Sequence, residues 1–190
     1  MEQVSKKAFT KLSIHELCYI AIFVAIIAAC AQIVIPQPGG VPFTLQAWAI
    51  SLAGLVLGVR KGTIAAIVYV VLGVVGAPVF ASFSGGFGAI MRPSGGFILS
   101  FPVVALLAGL GERKSGLHFI ILGLAAGSIF NWAIGLIWFN WITGFGLWVS
   151  FGYAVAPFIV VGVVRTAVLP FISKGIKTAM KKSGLKIEEQ

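Results

Sequence analysis

From Glu16 to Ile172 the chain is a series of apolar runs, each roughly 20 residues long, a length that crosses the hydrocarbon core of a bilayer. The runs are separated alternately by Pro/Gly clusters and by Lys/Arg clusters. Read this way, span one covers Glu16 to Ile35 and span two Phe43 to Val59. Between them, residues 36–42 hold three prolines and two glycines and cannot continue a helix. Arg60-Lys61-Gly62 reads as a tight turn into span three, Thr63 to Val79. Span four is Phe97 to Leu110, kinked near Pro102, and Glu112-Arg113-Lys114 follows it. Span five is Leu117 to Phe139. Span six is Phe151 to Ile172, with Pro157 in its outer half and Pro170 near its inner end. Trp138, Trp141 and Trp148 flank the last outer loop, as interfacial anchors do.

Ala81 to Ser94 breaks the pattern, being apolar yet rich in helix breakers. Irregular backbone exposed to lipid leaves polar groups unsatisfied. The segment is therefore expected to pack against protein or line a cavity, as a re-entrant, Gly-rich outer segment between helices 3 and 4. The fold class expected is all-α integral membrane, with six transmembrane helices in one domain, residues 1–190. Residues 173–190 form a basic tail, expected as a partly amphipathic cytoplasmic helix.

Composition supports a bilayer protein: the chain is 59% hydrophobic with mean hydropathy +1.05. The net charge of +9 raises the question of nucleic acid, but its distribution answers it. Lys6, Lys7 and Lys11 precede span one; Arg60, Lys61, Arg113 and Lys114 occupy the even-numbered connections. Lys174, Lys177, Lys181, Lys182 and Lys186 follow span six. With alternating spans these fall on one side, so both termini are expected in the cytoplasm. Cys18 and Cys30 share one span and read as small apolar fillers.

Leu17 to Gly111 contains no Asp or Glu, so the buried carboxylate typical of proton- or cation-coupled carriers is missing. There is no phosphate-cradling loop ending in Lys-Ser/Thr, no nucleophile elbow and no metal-ligand spacing; His15-Glu16 has no second His four residues on. An enzyme is not expected. The pattern points to a binding subunit for a neutral or anionic solute, powered by a partner.

Three groups of residues stand out. Ala21, Ala25 and Ala29 form a small-residue stripe that lets a helix approach closely, either within this chain or from a partner. Gly54/Gly58 and Gly123/Gly127 share that spacing and fit internal packing. Thr44 and Gln46 lie beyond the Pro/Gly loop, which is short enough to cap a pocket and open it. Ser84, Ser94, Asn131, Asn140 and Arg165 are polar groups at membrane depth. Arg165 has no acidic partner in any span and either snorkels to headgroups or faces a cavity and holds an anionic or carbonyl-bearing ligand. Arg92 is a second basic candidate. An intramembrane Asn such as Asn131 bonds either a neighbouring helix or a ligand.

Five motifs then carry a resemblance: Val41-Pro42-Phe43-Thr44-Leu45-Gln46, Leu52-Ala53-Gly54-Leu55-Val56-Leu57-Gly58, Tyr69-Val70-Val71-Leu72-Gly73, Gly76-Ala77-Pro78-Val79-Phe80 and Pro93-Ser94-Gly95-Gly96-Phe97. Together, over roughly residues 15 to 170, they resemble the BioY family, the biotin-specific substrate-binding (S) components of energy-coupling factor (ECF) transporters. The resemblance implies a multi-pass protein of the bacterial cell membrane that captures biotin from outside. It also implies partners: a membrane scaffold subunit, docked on the alanine stripe, and two cytoplasmic ATPases. No cofactor is implied. Gln46, Ser84, Gly85, Gly86 and Asn131 match positions where the family binds its ligand.

The last helix departs from the family pattern Pro-Phe-x-x-x-Asp-x-x-Lys. Here Pro157-Phe158 is followed by Gly162 at the Asp position and Arg165 at the Lys position. A glycine cannot accept the ureido N–H bonds that a carboxylate would. A related carboxylate-tailed ligand, lipoate or a biotin precursor, therefore stays open beside biotin. Two readings of another class are a small self-sufficient facilitator, for which the spans offer few polar residues, and an assembly protein, which leaves Arg165 unexplained.

Overall fold

The computed structural model describes residues 12–114 and 116–183. Lys6, Lys7, Lys11, Lys186 and the rest of the two termini lie outside the described residues. Seven α-helices are present among them: α1 (Ile14–Ala31), α2 (Gln46–Val74), α3 (Phe87–Ile90), α4 (Gly95–Arg113), α5 (Leu117–Thr143), α6 (Leu147–Ala154) and α7 (Ala156–Lys182). Five of these, α1, α2, α4, α5 and α7, are long and apolar enough to cross a membrane. Two short strands, β1 (Val34–Ile35) and β2 (Phe43–Thr44), pair antiparallel and staple the two ends of the first Pro/Gly loop. The apolar pattern had no feature that marked these strands.

α2 is a hairpin rather than a rod. Gln46 bonds Tyr69, a separation that would be about 35 Å along a continuous helix. The reversal is at Gly58, with φ 80° and ψ −179°, in a region that residues with a Cβ avoid. The turn expected at Arg60-Lys61-Gly62 thus sits earlier, and residues 60–62 belong to the helical arm that follows. Lys61 is consequently buried, and its Nζ donates to Glu16 Oε1 at 3.2 Å. Glu16 also closes a capping box with Ser13 at the start of α1, so one carboxylate fixes both the helix start and the α1–α2 contact.

The remaining boundaries shift for local reasons. The helix expected to reach Val79 ends at Val74, before Gly76 takes a φ of 111°. The sixth span does not begin at Phe151. Residues 147–154 form the separate α6, the chain breaks at Val155, and Pro157 falls in the first turn of α7, where a missing N–H costs nothing. α7 then runs on to Lys182, so the first part of the expected tail continues the same helix.

α4 lies between α2 and α5, α1 packs on α2, and α7 leans on α2 and α5. The core runs through Ile27, Ile50, Ala53, Tyr69, Phe80, Phe101 and Ala105. One glycine of each pair serves this packing: a Cβ at Gly54 would strike the Ala105 carbonyl, and one at Gly123 would meet that of Leu107 at 2.5 Å, whereas Gly58 makes the bend and Gly127 has only ordinary contacts. Ala21, Ala25 and Ala29 take no part in it, because all three are exposed. The 81–94 segment holds a 3-10 turn at 81–83 and the single-turn α3. It packs on protein: Phe80 is buried edge-on to Tyr69, and Gly86 N–H donates to Gly73 O at 2.7 Å.

Candidate ligand-binding site

A cavity opens where the first loop, the start of α2, α4, α5 and α7 converge. Its walls include Pro42, Thr44, Gln46, Trp48, Ser94, Phe97, Asn131, Trp132, Phe158, Gly162 and Arg165. Phe158 joins the aromatic wall, with ring centroids 6.5 Å from Phe43 and 6.0 Å from Phe97. The loop roof rests against α6 at Gly39, where a Cβ would meet Tyr153 Cβ at 2.7 Å. α6 is itself tied to α5 by Ser150 Oγ donating to Asn140 Oδ1 at 3.1 Å.

The sequence candidates separate into two groups. Gln46, Asn131 and Arg165 come together on this cavity and are each about 5% exposed or less. Ser84, Gly85, Gly86 and Arg92 lie outside it. Ser84 Oγ donates to Ala81 O at 2.7 Å, and a Cβ at Gly85 would collide with the Ala77 carbonyl. The side chain of Arg92 is exposed, while its carbonyl accepts from Trp138 Nε1 at 3.2 Å. These four shape and hold the outer segment beside the cavity instead of lining it.

The three buried polar residues differ in what they have left to give. Gln46 Oε1 accepts from Thr44 Oγ1 at 3.1 Å, and its Nε2 donates to the Tyr69 hydroxyl, which donates to Val79 O at 3.0 Å. Asn131 Nδ2 donates to Phe97 O at 3.1 Å and to Ser100 Oγ at 2.6 Å. Its donors are thereby spent on α4, and its amide oxygen remains as an acceptor. Arg165 donates from Nη2 to Ser128 Oγ at 2.5 Å. It does not snorkel: it is 4% exposed and held toward α5.

Three buried side-chain polar atoms lack a hydrogen-bond partner among the described residues: Trp48 Nε1, Arg165 Nε and Glu112 Oε2. The first two belong to this cavity's walls. An unmet buried donor costs about 1–3 kcal/mol, more when charged, and the two residues that carry these donors line one cavity. Sequence reasoning missed Trp48. Its only signal was position, two residues past Gln46 on the mouth of a helix. Gly162 also gains meaning here, because a Cβ at that position would meet Trp132 Cζ2 at 2.5 Å. The indole occupies the volume that a side chain on α7 would fill.

The described residues hold no group of three or more metal-ligating side chains. The BioY family matches residues 4–182. The chain belongs to the BioY family. It is 38% identical over 162 residues to a probable biotin transporter BioY of Pyrococcus horikoshii, covering 85% of this chain and 96% of that one. It is 34% identical over 165 residues to a biotin transporter BioY of Thermotoga maritima, covering 86% and 96%. Its fold matches a crystal structure of the S-component for biotin from an ECF-type ABC transporter with a TM-score of 0.79 at 26% identity, over 90% of this chain and 95% of the other. BioY membership makes this a multi-pass membrane transport protein rather than an enzyme.

Proposed function

We propose that this chain is the biotin-binding S component of an ECF-type importer and that the cavity beneath the first loop is its binding site. The observation that carries the reading is the pair of unmet buried donors, Arg165 Nε and Trp48 Nε1, on a cavity walled by Phe43, Phe97 and Phe158. An aromatic wall suits a compact apolar ring system, and the donors suit a ureido carbonyl or a carboxylate. The amide oxygen of Asn131 is the acceptor best placed for ureido N–H groups, replacing the carboxylate missing at Gly162.

The cavity holds about 90 Å³, well under the ~300–1,000 Å³ common for small-molecule pockets. A vitamin-sized ligand therefore needs a wall to move. The roof at residues 36–42 is the wall we assign to that role, because it is a short Pro/Gly loop carried on a two-residue hairpin. Mass spectrometry of the small molecule that co-purifies with the protein tests the ligand. Biotin is the expected species, and lipoate or a biotin precursor in its place would transfer the site to that ligand.

In this reading the membrane is crossed six times, each arm of α2 counting once, with both termini cytoplasmic. Solute passes inward with a scaffold subunit and two cytoplasmic ATPases. The exposed face of α1 carrying Ala21, Ala25 and Ala29 is the scaffold-docking surface, since close helix approach needs small residues. Ala25→Trp should leave biotin binding intact in purified protein and abolish uptake in cells that express the whole transporter. Loss of binding in that variant would assign the stripe to this chain's own folding.

A further inference from the structure

A second cavity, of about 830 Å³, lies between the Gly58 bend, the end of α4, the start of α5 and the last turns of α7. Arg113, Lys174, Lys177 and Lys181 line it together with Glu112. Four cations against one carboxylate leave three positive charges, and Lys177 Nζ already donates to Glu112 Oε1 at 2.6 Å. The lysines reach one cavity because residues three, four and seven apart on a helix share a face. Apolar side chains complete the lining, among them Leu117 and Phe171, which are 52% and 69% exposed to the surroundings of the helices.

A cavity that is basic inside and apolar toward the bilayer matches an amphiphile with an anionic head. We propose that it binds one anionic phospholipid. Lys174, Lys181 and Arg113 hold the phosphate, and the acyl chains leave over Leu117 and Phe171. Basic pockets between membrane helices bind such headgroups. The site is independent of which solute fills the outer cavity.

The test is native mass spectrometry of the full chain equilibrated with equimolar phosphatidylglycerol and phosphatidylcholine. Wild type should retain one phosphatidylglycerol in preference to phosphatidylcholine. Lys174→Gln/Lys181→Gln should lower that retention by about thirtyfold, which corresponds to ~1 kcal/mol for each of the two basic residues. Lys114→Gln, which removes a charge outside the cavity, should not. Equal retention of the two lipids by wild type, or undiminished retention by the double variant, overturns the site. Displacement of the bound lipid by millimolar glycerol phosphate would make the occupant a soluble phosphate and overturn the lipid assignment. If the double variant retains lipid but fails to couple to its ATPases, the lysines contact a protein and the proposal falls.

Discussion

Gln46 and Arg165 are both buried polar residues on the wall of one cavity, and they differ in what remains unmet. Gln46 sits in a relay from Thr44 to Tyr69 to the Val79 carbonyl, joining β2, both arms of α2 and the turn after it. Among the described residues Arg165 bonds Ser128 and keeps its Nε–H buried and unpaired. A satisfied network specifies a fold, whereas an unsatisfied charge is retained against a cost of about 2.5–3.5 kcal/mol at membrane depth. The comparison separates residues that build the cavity from residues that use it. Gln46, which the family resemblance marks as a binder, lines the cavity with its amide already bonded within the chain.

Arg165→Ala gives the largest effect expected. Biotin affinity measured calorimetrically should fall more than tenfold, in keeping with ~1.5–3 kcal/mol for a hydrogen bond to a charged group. Its melting temperature should not fall, because removing a poorly paired buried charge relieves desolvation. If affinity holds and melting drops, Arg165 is structural and the contrast collapses. Gln46→Leu should do the reverse, lowering stability by about 0.5–1.5 kcal/mol for each of its lost bonds to Thr44 and Tyr69, while the Tyr69 hydroxyl keeps its bond to Val79 O. Its affinity should follow only as far as the roof is disturbed, which denaturant titration with and without biotin would separate.

Trp48→Phe keeps an aromatic ring and deletes the N–H donor together with the fused part of the indole. Affinity should weaken by ~0.5–1.5 kcal/mol, the net worth of a neutral hydrogen bond, with stability unchanged. An unchanged affinity would leave Arg165 as the one donor to the ligand. Gly162→Ala is the mildest. The added Cβ needs Trp132 to give way, and a change in the Trp132 environment by fluorescence should accompany an affinity shift of less than tenfold. A fluorescence change without any affinity shift would remove Trp132 from the binding wall.

Much of this was legible in the chain before its structure. The apolar runs located α1, α4 and α5 to within a few residues, since length and hydropathy determine membrane spans. Arg165 was legible because an uncompensated charge stands out in an apolar run. What was not legible depended on tertiary closeness. Gly58, rather than the charged cluster after it, makes the reversal, and only its φ reveals that. The break at Val155 lies inside continuous apolar sequence, so hydropathy joined α6 to α7. Ser84, Gly85 and Gly86 were marked by their match to family positions and Arg92 by its charge; what the sequence could not display is that Ser84 bonds Ala81, Gly85 packs on Ala77, Gly86 bonds Gly73 and the Arg92 carbonyl accepts from Trp138. Trp48 was missed because an aromatic residue at a span's mouth resembles an interfacial anchor until its Nε1 is found buried and unmet.

The central claim is that the donors left over in this cavity serve a ureido-bearing ligand despite Gly162. Competition for radiolabelled biotin on the purified wild-type protein tests it most directly. Desthiobiotin, which keeps the ureido ring and the tail, should displace the label, and lipoate, which keeps only the tail, should not. Displacement by lipoate at lower concentration than by unlabelled biotin would contradict the account, and would mean that Gly162 marks a change of substrate.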